Sequence, residues 1–175
     1  MNKIIEIAKA KGADGEYLQK EVHSTSLSFQ DGKLEEVTKR DIQDFSLRII
    51  KNSKLSAVYG SKPSNREKLI DSAIELSKEG RQVTYQFSDK AEIPNLKLTS
   101  GKTKKITVKE LKEIGEDLIV RLKKFTDVSP DIGVSTSNSV KSLVTTNGAK
   151  LKEKTTSFSV SVLSLIHISE PTRPY

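Results

Sequence analysis

Ile4, Ile5 and Ala8 fall at the spacing of one helical face, and Gly12 stands where a helix would cap. The chain is therefore expected to open with a helix over about residues 2–11. From Leu18 the period changes. Leu18, Lys20 and Val22, then Leu27 and Phe29, alternate imperfectly with polar neighbours, and Asp31-Gly32 follows as a hairpin signal. The return strand passes Leu34 and Val37 over residues 33–39. A further strand reads Phe45-Ser46-Leu47-Arg48-Ile49-Ile50, and Asn52-Ser53 turns it into Leu55–Tyr59. Regular turns between alternating runs predict an antiparallel meander of about four strands, with one face buried and one wet. Helical period returns after Pro63. Ser64 and Glu67 have the spacing of a capping box, Leu69, Ile70, Ala73, Ile74 and Ser77 form the stripe, and Gly80 ends it. A helix this short needs a packing partner, so it should lie on the meander. Residues 1–80 thus read as one α+β domain, an antiparallel β-meander flanked by helices.

Residues 81–106 keep no sustained period and carry Pro94, Gly101 and many Lys, Ser and Thr, the composition of a linker, with a short extended piece at Val83–Phe87. A second α+β unit over 107–162 begins with another capping box, Thr107 and Glu110. Its helix has the stripe Leu111, Ile114, Leu118, Ile119, Leu122 and Phe125. Short strands follow at Ile132–Ser135 and Val140–Thr145, then the turn Asn147-Gly148. In Thr155–Val162 the residues Thr156, Phe158, Val160 and Val162 alternate with Ser157, Ser159 and Ser161. The two units share the order helix, hairpin, Gly, Leu and Glu, which fits a repeat and fits a coincidence of hairpins equally. The second unit has no closing helix and reads as the truncated start of a domain.

Composition narrows the chemistry. The 175 residues include no cysteine and only two histidines, His23 and His167, which excludes disulfides, thiol nucleophiles, Cys-ligated zinc and a His-rich metal site within the chain. No apolar run approaches the ~20 residues of a membrane span. Glu6, Lys9 and Lys11 break any signal-peptide pattern, so a cytoplasmic location is expected. The net charge is +7, but the cations are interspersed with acids, as in Lys109-Glu110-Leu111-Lys112-Glu113, and aromatics do not interleave with the one dense cluster, Lys102-Thr103-Lys104-Lys105. That is the pattern of a solvated surface rather than a nucleic-acid platform.

No catalytic constellation is visible. His23 stands in a strand beside Ser24, Thr25 and Ser26 with no triad pattern. Glycine-rich phosphate loops are absent. Glu35-Glu36 and Glu116-Asp117 lie among lysines as members of solvated faces. No catalytic, cofactor-binding or metal-binding residue is assigned.

The C-terminal string Leu163-Ser164-Leu165-Ile166-His167-Ile168-Ser169-Glu170-Pro171-Thr172-Arg173 resembles an in-frame translation of the transposon-end adapter used in short-read sequencing libraries. Residues 163–175 are therefore expected to be non-native, and His167 with them.

The order of features in the native part resembles the TldD/PmbA family. The resemblance is carried by Gly12-Ala13-Asp14 before a strand, by Leu27-Ser28-Phe29-Gln30-Asp31-Gly32-Lys33-Leu34-Glu35-Glu36-Val37, by the strands Phe45–Ile50 and Lys54–Gly60, and by the helix that follows. Phe45-Ser46 and Leu55-Ser56-Ala57 replace glycine-containing strand starts usual in that family, which marks a divergent member. The resemblance implies the N-terminal fragment of a zinc metallopeptidase subunit or of its non-catalytic partner subunit, in a family also described as modulators of DNA gyrase. It implies a second subunit of the same family and unfolded peptide as partners. The family's zinc motif, His-Glu-x-x-x-His, is not present in this chain, so zinc is implied only for a full-length catalytic subunit. An antiparallel meander also exposes edge strands to which a peptide or subunit can add. The alternative is a small cytoplasmic α+β binding module, one that could touch nucleic acid.

Overall fold

The computed structural model describes residues 2–63, 65–90, 94, 96–125 and 130–163. Among them the elements run α1 (Asn2–Ala10), β1 (Asp14–Gln30), β2 (Lys33–Lys51), β3 (Lys54–Gly60), α2 (Arg66–Ser77), β4 (Arg81–Gln82), α3 (Gly101–Lys105), α4 (Val108–Leu122), β5 (Asp131–Thr145) and β6 (Lys150–Leu163). The strands form one antiparallel sheet in the order β4-β3-β2-β1-β5-β6. The α+β class expected from the hydrophobic pattern is the class observed. The segmentation differs. Three strands, not four, separate α1 from α2, because the predicted break between residues 39 and 45 does not exist and β2 runs through it. The runs at Ile132–Ser135 and Val140–Thr145 are likewise one strand, β5. Ladder hydrogen bonds between backbones do not depend on side-chain polarity, so a strand with neighbours on both sides continues through a polar stretch.

Turn chemistry holds at each predicted position. Asp31 and Gly32 both have positive φ (49° and 73°), as a two-residue hairpin with the favoured twist requires. Asn52 and Ser53 do the same (50° and 60°) and set the register Lys51 to Lys54. At Gly12, the Ala13 N–H donates to Ala8 O at 3.1 Å and the Gly12 N–H to Lys9 O at 3.0 Å, the paired bonds of a left-handed helix end.

The chain clusters into two compact units. The first comprises Met1–His23, Arg40–Thr99 and Asn138–Thr156, and the second Ser24–Lys39, Ser100–Ser137 and Ser157–Tyr175. The sequence pattern instead places its division at residues 81–106. In the first unit Ile4, Ile5 and Ala8 of α1 and Ile70 and Ala73 of α2 cover Tyr17, Phe45, Leu47 and Ile49. Tyr17 and Phe45 stack with centroids 5.8 Å apart. The imperfect alternation of β1 is resolved here. Gly15 and Tyr17 are buried, so Leu18, one position on from Tyr17, belongs to the opposite surface. A smaller cluster joins Ile50, Val83 and Phe87, so the stretch read as a linker contributes core residues as far as Phe87. At α2 the N-cap is Asn65, whose side chain accepts from Lys68 N at 3.0 Å; the predicted cap Ser64 lies outside the described residues.

In the second unit Leu111 and Ile119 of α4 pack on Leu27, Phe29, Ile132 and Val134. The predicted capping box is present: Glu110 N–H donates to Thr107 Oγ1 at 3.2 Å and Thr107 N–H to Glu110 Oε2 at 2.7 Å. Phe125, expected in the buried stripe, is instead 85% exposed, because α4 ends at Leu122 and the helical spacing that would aim it inward ends too.

Two predictions follow from α4. A Cβ at Gly115 would stand 2.2 Å from the Phe29 ring, so the ring occupies the space that any other residue needs. Gly115→Ala is expected to destabilise by about 1–3 kcal/mol through overpacking, although alanine favours a helix by about 1 kcal/mol. Urea unfolding measures this, and a variant as stable as wild type would show that Phe29 can move aside. The second concerns acid. The Thr107 N–H, then its hydroxyl, hold the Glu110 carboxyl below the ordinary glutamate range. The charged form is therefore favoured in the folded state. Its contribution is complete above the unfolded-state pKa and is lost as pH falls through the lower folded value. Amide exchange in the first turn of α4 is expected to rise on acidification through that window, and the step should be missing in Glu110→Gln.

Candidate functional site

The residues that could have carried catalysis are dispersed. His23 Nδ1 meets Asp41 Oδ1 at 2.5 Å, with both side chains more than half exposed. Glu35 and Glu36 are exposed. Glu116 faces Lys112 at 3.5 Å and Asp117 faces Arg121 at 2.8 Å, pairs one helical turn apart on a wet surface. Among the described residues no group of His, Cys, Asp and Glu could hold a metal ion. The described residues thus offer no ligand set that fits zinc. No helix among them is long and apolar enough to cross a membrane.

The densest polar construction is a latch in the first unit that sequence reading passed over. Asp14 Oδ2 accepts the Phe87 N–H at 2.9 Å, and its Oδ1 accepts the Thr146 hydroxyl. Thr146 Oγ1 in turn accepts the Gly15 N–H at 2.9 Å. Asn147 Nδ2 donates to Phe87 O at 2.7 Å and Thr145 Oγ1 to Ser88 O at 2.7 Å. Beside it Arg48 lies 5.1 Å over the Phe87 ring and donates to Glu16 Oε1 at 2.8 Å. Every acceptor here is used by the protein itself, so the latch is structural. It fixes the 83–89 segment and explains why Asp follows Gly12-Ala13. The signal was present in Asn147-Gly148, which a hairpin reading accounts for without its side chains.

The surface with unspent capacity is β6. In the second unit Ser137 and Ser157 hydroxyls meet at 2.8 Å, and a Cβ at Gly133 would meet Ser161 Oγ. These contacts put Ser157 and Ser161 on one face together with Gly133 and Ser137. By the two-residue period, Phe158, Val160 and Val162 share the other face with Ile132 and Val134, which α4 covers. The β6 residues are not covered: Phe158 is 42%, Val160 39% and Val162 48% exposed. The predicted alternation of β6 is therefore real, while its apolar face remains open. β6 also ends the strand order among the described residues. Near its middle, Leu98 O accepts the Thr156 N–H at 3.1 Å.

Asp14→Ala is expected to destabilise the chain by about 1–3 kcal/mol, since the Phe87 N–H and the Thr146 hydroxyl lose their acceptor. Asp14→Asn, which keeps one acceptor oxygen, should fall between. Chemical denaturation checks the order.

Comparison with known proteins places this arrangement. A model of PmbA/TldA metallopeptidase domain 1 matches residues 20–77. No curated protein matches the sequence significantly. Three solved structures share the fold, each with a TM-score of 0.81. A proposed modulator of a DNA gyrase from Thermotoga maritima is 17% identical, with 92% of this chain and 38% of that one covered. TldE from Thermococcus kodakarensis is 12% identical, with 93% and 38% covered. A proposed modulator of DNA gyrase from Bacteroides thetaiotaomicron is 15% identical, with 97% and 41% covered. The chain thus spans about two fifths of the length of these proteins. Residues 20–77 are therefore similar to a first domain of the PmbA/TldA type, and the fold is the one these solved structures share.

Proposed function

We propose that this chain is the N-terminal part of a TldD/PmbA-type metallopeptidase subunit and supplies contact surface rather than catalytic residues. In the complete cytoplasmic assembly, peptide hydrolysis would use zinc held by a His-Glu-x-x-x-His helix of a longer catalytic subunit. The present region would serve contacts with a second subunit of the family.

The observation that carries the reading is the open apolar row Phe158, Val160 and Val162, which continues the face that α4 buries elsewhere in the same unit. Side chains of that kind, side by side on a strand, gain on the order of 25 cal/mol per Å² when covered. An edge strand adds backbone hydrogen bonds that do not depend on the partner's sequence. The share of length matched in the solved structures supports a longer native protein.

The test uses the complete reading frame recovered from source DNA and co-expressed with its partner subunit. Val160→Glu is expected to weaken subunit association by at least about tenfold, because an unpaired charge would be buried, and to lower peptide hydrolysis in parallel. Circular dichroism of the 175-residue chain should not change, since Val160 is already wet. Assembly and hydrolysis equal to wild type would overturn the contact role. A native stop codon near residue 162 would overturn the longer subunit.

A further inference from the structure

In the first unit a cavity of about 130 Å³ opens between the start of α1, the strands β1 and β2, and the segment before α2. Ile4, Tyr17 and Phe45, all buried, form its floor. Lys62 and Arg66 stand at its rim with Asp44 and Ser61. Its size is close to the ~150 Å³ that admits a benzene-sized molecule, so it has room for a small organic group and not only a single water.

The polar atoms around it are unevenly spent. Gln19 and Gln43 each donate an amide N–H to Glu21 Oε1 at 3.0 Å, which leaves their carbonyl oxygens as acceptors. Neither Lys62 nor Arg66 has an ion-pair partner among the described residues, and Asp44 has none either. Tyr17 is 3% exposed and its hydroxyl has no protein partner among the described residues, yet it is not an orphaned buried atom. The open space that relieves it is the cavity. Burial pushes the Tyr17 phenol up, and the Arg66 guanidinium opposes that rise, which places the Arg66 charge within electrostatic reach of the hydroxyl. Donors thus gather as a guanidinium, an ammonium and a phenol O–H, with one carboxylate acceptor beside them.

We propose that this cavity binds a carboxylate flanked by an N–H donor, as found at the C-terminus of a peptide or in an N-acylated amino acid. Arg66 offers the planar fork that pairs with a carboxylate through two hydrogen bonds. Lys62 adds a second positive charge, and the Tyr17 hydroxyl donates from the floor. Asp44 accepts the neighbouring N–H and disfavours a dianion such as phosphate, whose second charge it would repel. Nothing in this assignment depends on the β6 surface, so either can fail without the other.

The test is an NMR titration of the full 175-residue chain with three probes: N-acetyl-alanyl-alanine as the free acid, the same compound as its C-terminal amide, and inorganic phosphate. The free acid is expected to give saturable shifts centred on Tyr17, Gln43 and Ser61. The amide should bind at least about tenfold more weakly, the size expected for losing hydrogen bonds to a charged group. Arg66→Gln should weaken the free acid to the same degree, and Tyr17→Phe also by about tenfold, for one hydrogen bond to a charged acceptor. Arg66 is exposed, and should its variant not fold, Lys62→Gln takes its place with the same direction of change. The proposal is overturned if the free acid gives no saturable shift at these residues, if the amide binds equally well, if phosphate binds there more tightly than the free acid, or if the cation variant binds like wild type.

Discussion

In each unit, the side chains that reach the core alternate with side chains that do not, and this places every other feature. Tyr17 is buried while Leu18 is not. Phe45, Leu47 and Ile49 go under α1 and α2, while Ser46 and Arg48 between them do not. Slipping one strand by a single residue would carry its whole apolar set to the other face. The turns at Asp31-Gly32 and Asn52-Ser53 prevent that slip by fixing two-residue loops with positive φ. Once register is set, Phe29 faces Gly115, Ser56 reaches the Ala73 carbonyl at 2.6 Å, and the β6 row is left bare.

The two kinds of polar feature show how burial decides role. The Asp14 latch is a network in which each donor has an acceptor, the condition under which buried polar groups rigidify a fold instead of weakening it. The cavity beside Tyr17 is the opposite case. Its cations and its phenol have no protein partners among the described residues, and the space in front of them is large enough for a ligand group. The same contrast separates α4, whose apolar stripe is covered, from β6, whose apolar row is not.

Much of the fold was legible in the residues. Both long helices, the three tight turns and the capping box at Thr107 were marked by short-range chemistry that acts within a few residues. The family resemblance was legible in the same way, through the order of Gly12-Ala13-Asp14, the Asp31-Gly32 turn and the strands after it. What was not legible depended on partners distant in sequence. Val83 and Phe87 looked like a linker because their cluster partners, Ile50 and Leu55, are about thirty residues away in sequence.

By itself the sequence determined secondary-structure type, turn positions and the class of the fold, because each rests on propensity or periodicity. Tertiary structure alone decided that broken patterns join into long strands, that the 83–87 stretch is core, that Phe125 points to water, and that Tyr17, Lys62 and Arg66 share one cavity. These depend on which backbones hydrogen-bond across the sheet and which side chains a distant helix covers. Such pairings are long-range, and no window along the chain contains both partners.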